Sequence, residues 1–356
     1  MRLPLHDLHR AAGARIIERF GWEIPADFGD SAQETAVVRH DAGLTDRSDR
    51  GKILVSGPDR TAFLQALVTN DVTTIAAGHG LQALGLNHKG QIVADFLILP
   101  WRGRLVLVVE PGERAFSFAW LRRHKLRAKV ELIDETESLG LLSLAGPKAP
   151  TVLAGLLGQR FELGRDEVID REFAGMPLLI AGSRDLGVTG FDLFLPREKL
   201  GEAWQALIDS GARPVGALAW ETLRIEAGTP RYGAELGEST LPAEARIEGR
   251  AIDPEKGCYP GQEIVARIRN RGQVNRFLRG IILEGGAPPA PAATIEVSGK
   301  SVGTVTSAAH SPALGKPIAL AFLRREVQPG ETVRLADGRS ALVVDPPFPS
   351  VLEEMG

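Results

Sequence analysis

The central part of the chain alternates short, β-branched apolar runs with turns, a pattern that is typical of sheets. Strands are predicted at Ile53–Val55, Ile92–Leu99 and Leu105–Val109. Between the first two, Asp59 precedes the amphipathic segment Thr61–Val68, whose apolar residues share one helical face. A second set follows, with strands near 141–144, 178–181 and 191–195 and helices near 148–157 and 198–210. Strands and helices mixed without a strict βαβ period favour an α+β fold.

The C-terminal region has a different pattern. Gly285–Pro291 is too rich in proline and glycine for a helix or a central strand. Short apolar runs separated by glycine, proline and polar turns occur at 278–283, 294–297, 302–306, 318–322, 332–335 and 341–344. This pattern predicts a small β-barrel or sandwich, and it divides the chain into residues 1–275 and a C-terminal domain, 276–356.

Composition narrows the class of protein. The 356 residues are 44% hydrophobic and 24% charged with a net charge of -3, which is typical of a globular protein and argues against a nucleic-acid partner. We expect a cytoplasmic protein without a membrane partner, because no apolar run has the length of a signal peptide or a span. A single cysteine excludes an intramolecular disulfide and a multi-cysteine metal site built from this chain alone. The sequence does not predict an oligomeric state.

The only cysteine lies in an unusual octet, Lys256-Gly257-Cys258-Tyr259-Pro260-Gly261-Gln262-Glu263, directly before a helix-like run. Cys258 is therefore expected just outside a helix N-terminus, where the unsatisfied N–H groups and the nearby Lys256 favour a thiolate. This setting predicts a reactive sulfur. The alternative is that Cys258 is a small buried apolar side chain, as most unpaired cysteines are.

Asp95 interrupts an apolar strand, and strand alternation places it on the same face as Val93 and Leu97. A desolvated carboxylate there needs a partner, for which a ligand nitrogen is one candidate and a salt-bridged sheet carboxylate is the alternative. Two other charged residues stand out. Asp192 follows a glycine-rich turn, and Arg224 lies on a predicted helix, where a surface ion pair is the default interpretation.

Several segments spread over the chain resemble the glycine-cleavage T-protein family: Pro4-Leu5-His6-Asp7-Leu8-His9, Gly21-Trp22-Glu23-Ile24-Pro25, Asp41-Ala42-Gly43-Leu44, Gly57-Pro58-Asp59 with Thr69-Asn70-Asp71-Val72, Leu223-Arg224-Ile225-Glu226-Ala227-Gly228, and Gly303-Thr304-Val305-Thr306-Ser307 with Ser311-Pro312. The octet around Cys258 resembles something narrower, the signature of the YgfZ-like folate-binding proteins. Those proteins are implicated in the maturation of iron–sulfur enzymes, and T-proteins do not have that cysteine.

The resemblance implies a three-part ring: a folate-binding core, a ferredoxin-like subdomain at about 137–215 and a C-terminal β-barrel. Tetrahydrofolate, or a one-carbon derivative of it, would occupy the central cavity. By motif, Asp95 would face the reactive nitrogens of the folate, Asp192 would hold the pterin, Arg224 would bind nearby and Tyr259 would stack on the ligand.

Two positions depart from the T-protein pattern. Ala94 stands where T-proteins have the first of two adjacent acids, and Asp185 stands where they have a tyrosine.

Three hypotheses about function follow. The first is a tetrahydrofolate-binding accessory protein for the maturation or repair of iron–sulfur enzymes, with Cys258 reactive at the rim of the folate cavity and iron–sulfur client or assembly proteins as partners. The second is a folate-dependent aminomethyltransferase or demethylase in which Asp95 is catalytic and Cys258 is dispensable. The third is a folate-storage or folate-sensing protein without chemistry.

Overall fold

A computed structural model describes residues 1–75 and 78–349, apart from the side chain of Arg271. The helices of this part are α1 (His6–Ala11), α2 (Ser31–His40), α3 (Arg60–Gln65), α4 (Arg114–His124), α5 (Ala149–Leu157), α6 (Leu200–Asp209), α7 (Ala217–Glu226), α8 (Pro242–Ala245), α9 (Glu248–Ala251) and α10 (Gln262–Arg271). Short 3-10 helices lie at Val72–Thr74, Pro111–Glu113 and Arg197–Lys199.

The strands of the first three quarters of the chain are β1 (Arg15–Arg19), β2 (Trp22–Asp27), β3 (Gly43–Asp46), β4 (Gly51–Ser56), β5 (Leu81–Leu86), β6 (Ile92–Trp101), β7 (Arg104–Val109), β8 (Glu131–Asp134), β9 (Leu139–Ala145), β10 (Val168–Phe173), β11 (Met176–Ser183), β12 (Gly190–Pro196) and β13 (Arg213–Pro214). The strands of the C-terminal part are β14 (Arg276–Leu283), β15 (Thr294–Val297), β16 (Lys300–Ser311), β17 (Lys316–Arg324), β18 (Thr332–Leu335) and β19 (Ser340–Val344).

Two sheets form the body of the protein. One has the strand order β5-β6-β7-β4-β8, and the other has the order β10-β11-β12-β9-β3-β13. They pack face to face through a shared apolar cluster that includes Leu54, Val106, Leu141 and Phe194. The outer face of the first sheet is covered by α3 and α4, and that of the second by α5 and α6. The alternation of inward and outward side chains along each strand therefore buries both faces.

Residues 137–215, predicted as a ferredoxin-like subdomain, supply β9–β13 together with α5 and α6. Strand β3, from the N-terminal part of the chain, lies between β9 and β13 in the same sheet. The exact limits of this subdomain and of the 1–275 region stay a prediction.

The C-terminal strands close into a six-stranded barrel, β14-β17-β16-β15-β18-β19, with its own apolar core. Helix α7 packs against β16 and β17 of this barrel and, on its other sides, against α2 and β2. The predicted α+β fold with a C-terminal barrel is confirmed. Residues 350–356 of the predicted barrel domain lie outside the described residues. No helix of the described part is long and apolar enough to cross a membrane.

Candidate functional site

A cavity that is open to solvent lies where the β1–β2 hairpin, the two sheets and α7 meet. Its apolar wall includes Leu97, Val108, Leu186 and Trp220. Charged side chains dominate the remainder, and they are seven arginines and seven carboxylates: Arg19, Arg47, Arg50, Arg165, Arg224, Arg231 and Arg250 with Asp46, Asp49, Asp95, Glu110, Asp166, Asp185 and Glu221. A concave site with this many convergent charges is a candidate ligand-binding site.

Asp95 lies in this cavity on β6 and is half-buried. Its Oδ1 accepts a hydrogen bond from Gln82 Nε2 at 2.6 Å, and its Oδ2 has no hydrogen-bond donor among the described residues. Burial raises the pKa of Asp95, while the hydrogen bond from Gln82 and the charges of Arg250 and Arg50 oppose that rise. The site therefore holds a carboxyl group that is oriented through one oxygen and free to accept through the other.

A relay of side chains fixes the orientation of Asp95. Gln82 Oε1 accepts from Arg250 Nε, so the amide of Gln82 cannot flip without losing both partners. Arg250 Nη1 lies 3.3 Å from Asp185 Oδ1, and Arg165 Nη1 donates to the same oxygen at 2.6 Å. Burial alone would raise the pKa of Asp185, but Arg250 and Arg165 lower it to about 2. Asp185 is therefore a permanent anion, and it occupies the position at which the T-protein pattern has a tyrosine.

A second carboxyl group, that of Glu113, contacts the backbone of Asp95. Glu113, which is buried, accepts from the backbone N–H of Asp95 at 2.8 Å and from Ser117 Oγ at 2.9 Å. Burial and the nearby charge of Asp95 raise the pKa of Glu113 well above its ordinary value, which favours its protonated form. The hydroxyl of Tyr232 donates to the carbonyl of Val93 on the same strand at 3.1 Å. Strand β6 is thus held on both sides of Asp95.

Arg224 also lines the cavity, but all five of its N–H groups are used within the protein. Nε and Nη2 donate to Glu221, Nη2 also to Ser307 Oγ, and Nη1 to the carbonyl of Thr229 and to Glu235. Burial lowers the pKa of Arg224, but Glu235 and Glu221 more than offset this effect. The resemblance implies that Arg224 binds near the ligand. In the structure it joins α7 to the barrel.

Asp192 lies in a small cleft beside the cavity, and Asp185, Leu186 and Trp220 line both spaces. Its carboxylate is buried and accepts a hydrogen bond from Ser143 Oγ on the neighbouring strand. Asp192 therefore lies behind the wall of the main cavity, whereas the resemblance implies that it contacts a pterin directly.

The octet around Cys258 is anchored away from the cavity. The ammonium of Lys256 is buried and donates to the backbone carbonyls of Gln65, Val68 and Asn70 at 2.9, 2.5 and 2.9 Å. Burial lowers the pKa of Lys256 to about 8. The hydrogen bonds of Lys256 therefore hold the segment that follows α3 in place.

The rest of the octet also has clear packing roles. The ring of Tyr259 is buried in an apolar cluster, and the nitrogen Nζ of Lys256 lies 5.5 Å from its centroid. Gly261 has φ +81°, and a Cβ there would lie 2.5 Å from the carbonyl oxygen of Asn87. Gln262 Nε2 lies 3.4 Å from the carbonyl of Lys256, and Glu263 is exposed in the first turn of α10. These contacts position the loop and the start of α10.

Cys258 is exposed, and its thiol contacts no hydrogen-bond partner in the described part of the chain. It is not a buried packing residue, and the flanking Gly257 is exposed as well. Neither Cys258 nor Tyr259 lies among the residues that line the cavity, so the predicted placement of the thiol at the cavity rim differs from the structure. The physical reason is the anchoring of Lys256, which turns Tyr259 inward and leaves the thiol in solvent.

Sequence reasoning missed most of the cavity. Glu110 follows β7, and its Oε1 lies 2.9 Å from Arg50 Nη2. Burial alone would raise the pKa of Glu110, but the charges of Arg50 and Arg47 lower it. Burial raises the pKa of Asp49, in the loop after β3, to about 6. These residues lie in turns, where no periodicity marks a side chain as inward-facing.

The fold and site define a class of protein: a three-part α+β protein with a two-sheet body, a C-terminal barrel and a charged cavity where the two sheets meet α7 and the N-terminal hairpin. Family models match nearly the whole chain, one described as GCVT N-terminal domain over residues 5–256 and one described as glycine cleavage T-protein C-terminal barrel domain over residues 276–348. The chain belongs to the glycine cleavage T-protein family.

Individual relatives agree with this assignment. An aminomethyltransferase of Rubrobacter xylanophilus is 36% identical over 94% of this chain and 90% of its own length. One from Halothermothrix orenii is 30% identical over 98% of this chain and 99% of its own length. The crystal structure of the glycine cleavage system aminomethyltransferase T from Bartonella henselae has a TM-score of 0.90, 26% identity and 98% coverage of both chains.

Proposed function

We propose that this protein is a tetrahydrofolate-dependent aminomethyltransferase whose catalytic carboxylate is Asp95. The observation that carries the proposal is the position of Asp95: an oriented carboxyl group with one free oxygen in the charged cavity of a T-protein fold. The relatives named above support this hypothesis over the other two that the sequence leaves open.

The residues present fit a folate. A reduced pterin presents several N–H donors, and the free oxygen of Asp95 together with the permanent anion of Asp185 can accept them. The flat ring and the benzoyl group need apolar contacts, which Leu97, Leu186 and Trp220 provide. Bound tetrahydrofolate would supply the acceptor nitrogens for a one-carbon unit.

The chain's own residues contribute orientation and electrostatics. Asp95 stabilises positive charge that develops on an amine in the cavity, and the relay from Gln82 to Arg250 keeps its carboxylate in one orientation. Glu113, held against the backbone of Asp95, keeps strand β6 in place without adding a second negative charge when it is protonated. The apolar wall limits the access of water, which strengthens each of these interactions.

The test is aminomethyl transfer to tetrahydrofolate from an aminomethylated lipoyl carrier protein, followed by ammonia release. D95N keeps the size of the side chain and its hydrogen bond with Gln82 after a flip, but removes the charge. We expect the dissociation constant for tetrahydrofolate to change by less than about tenfold and turnover to fall about 100- to 1000-fold. D170N is the matched control, because Asp170 is exposed and pairs with Arg102 outside the cavity. Transfer by D95N at the wild-type rate would contradict the proposal.

A second function, an accessory role in the maturation of iron–sulfur enzymes, is favoured by one observation, the exposed and uncontacted thiol of Cys258. The test is rescue of a [4Fe–4S] enzyme activity in cells that lack this gene. Rescue by the wild type but not by C258A, at equal expression, would support it. Equal rescue by both proteins would remove the thiol from the mechanism. The two functions are separable, since D95N and C258A change different parts of the molecule.

A further inference from the structure

Arg231, in the loop after α7, is a cavity arginine with two buried nitrogens that lack an acceptor. Its Nε and Nη1 are shielded from solvent, and no residue within 1–75 or 78–349 accepts a hydrogen bond from either. Its remaining nitrogen, Nη2, lies 3.3 Å from Glu221 Oε1. A buried guanidinium with unused donors is costly unless water, an ion or a ligand accepts hydrogen bonds from it.

Glu221 does not neutralise Arg231, because Arg224 already holds it. Arg224 Nη2 lies 2.6 Å from the same oxygen of Glu221, and Arg224 Nε donates to the other oxygen at 3.1 Å. Burial raises the pKa of Glu221, but the charge and hydrogen bond of Arg224 lower it to about 2. Glu221 thus belongs mainly to Arg224, and Arg231 keeps an excess of positive charge.

Other guanidinium groups converge on the same part of the cavity. Burial lowers the pKa of Arg19, and repulsion from the charge of Arg231 lowers it further. Arg47 and Arg50 share one partner, with Nη2 atoms 4.0 and 2.9 Å from Glu110 Oε1. The Nε of Arg50 is also buried without an acceptor among the described residues.

Four arginines of this part of the cavity therefore lie near two carboxylates that already pair with an arginine, Glu110 with Arg50 and Glu221 with Arg224. The four are Arg19, Arg47, Arg50 and Arg231. Two further acids lie nearby: Asp46, which is buried and contacts His9 Nε2 and the backbone N–H of Ser48, and Asp49, whose pKa burial raises to about 6. The relay around Asp95 and Asp185 is a different hydrogen-bonded group, rich in acceptors. The cavity is thus divided into a part that suits N–H donors and a part that suits an anion.

We propose that Arg231 anchors a carboxylate-binding site within this cavity, with Arg50 and Arg19 completing its positive surroundings. A carboxylate presents two oxygens in one plane, which matches the fork of a guanidinium. The inference rests on the proposed folate-dependent function and deepens it. Two sources can supply the carboxylate: the glutamate moiety of the folate or, where a small amino acid replaces the lipoyl carrier as donor of the one-carbon unit, the carboxylate of that amino acid.

The experiment measures dissociation constants for two ligands that differ only in the glutamate moiety, tetrahydrofolate and tetrahydropteroate. Wild type, R231M and R231K are compared, with thermal unfolding used to verify that each variant is folded. R165M is the matched control, because it removes the same charge from the same cavity but from a guanidinium that is paired with Asp185. A third titration adds glycine, as the simplest amine with a carboxylate, to protein saturated with tetrahydrofolate.

If the glutamate moiety occupies the site, R231M weakens tetrahydrofolate about 10- to 100-fold and leaves tetrahydropteroate unchanged. R231K, which keeps the charge but loses the fork, falls in between, and R165M leaves the ratio of the two constants at its wild-type value. If the donor supplies the carboxylate, both folates bind equally to wild type and R231M, and glycine binding weakens about tenfold or more in R231M.

The proposal is overturned if folded R231M binds tetrahydrofolate, tetrahydropteroate and glycine as the wild type does. A failure of the proposed function has a different signature. In that case neither tetrahydrofolate nor tetrahydropteroate binds to wild type, and glycine, titrated into the free protein, alone decides whether Arg231 binds a carboxylate.

Discussion

Lys52 offers a quantitative test of the charges that surround the cavity. It lies on β4 with a fully buried side chain, and its Nζ donates to the carbonyl of Ser48 at 2.8 Å. Burial lowers its pKa from 10.5 to about 7, while the charges of Asp49 and Asp46 oppose this. The same lysine holds the loop after β3, which contributes Asp49 and Arg50 to the cavity wall. We expect K52M to stabilise the protein and to loosen that loop.

The magnitude follows from proton linkage. Between about pH 7 and pH 10.5 the unfolded chain binds the proton on Lys52 and the native state does not, so stability rises with pH in this window. Each pH unit in this window adds about 1.4 kcal/mol to the unfolding free energy of the wild type. Between pH 6 and pH 9, Lys52 alone therefore adds about 3 kcal/mol to that free energy. The methionine variant has no such proton. The difference in unfolding free energy between K52M and the wild type is therefore greatest at pH 6, and it is about 3 kcal/mol smaller at pH 9.

The assay is urea unfolding of wild type and K52M at pH 6, 7, 8 and 9, with the difference in unfolding free energy plotted against pH. The difference removes the contributions of distant titrating groups, such as Lys256, that both proteins share. K129M is the control, because it makes the same substitution at Lys129, which is exposed. A pH-independent difference for K52M would refute the reasoning, since Lys52 would then keep its proton in the folded state.

Three further predictions concern packing and the site. In urea unfolding, G261A should lower the unfolding free energy by about 2 kcal/mol or more, because Gly261 has φ +81° and no room for a Cβ. G299A is its control and should lower it by only about 1 kcal/mol, because Gly299 has φ +74° but nothing within 4 Å of the added Cβ. R224M should lower the unfolding free energy by about 3–5 kcal/mol, because it leaves the buried carboxylate of Glu235 without its cationic partner. The raised pKa of Asp95 predicts that kcat/KM falls as pH decreases, starting above the ordinary carboxyl range.

The fold could be predicted because its signals are local. Short apolar runs mark β4, β6 and β7 of the first sheet, β9, β11 and β12 of the second, and the strands of the barrel. Alternation alone placed Asp95 on a face shared with Leu97, which lines the same cavity. The N-terminal hairpin was not predicted, because Arg15–Arg19 and Trp22–Asp27 mix charged and apolar residues without a clear period.

The binding residues could not be predicted in the same way. Arg231 lies in a loop and Gln82 on a strand that no alternation marked, and they meet one cavity only because distant segments are packed together. Arg224 illustrates a different limit. A motif match implies that it binds near the ligand, and it lines the cavity, but its five donors all have acceptors within the protein and join α7 to the barrel.

The octet around Cys258 requires one more distinction. Lys256, Tyr259 and Gly261 each have a packing reason to be what they are, so their presence is not evidence for thiol chemistry. Changing them would disturb the loop after α3 and the start of α10, and a loss of activity would then report on folding. Cys258 makes no such contact, so its replacement by alanine alters the thiol and almost nothing else. Within this motif, C258A is therefore the substitution whose phenotype reports on sulfur chemistry itself.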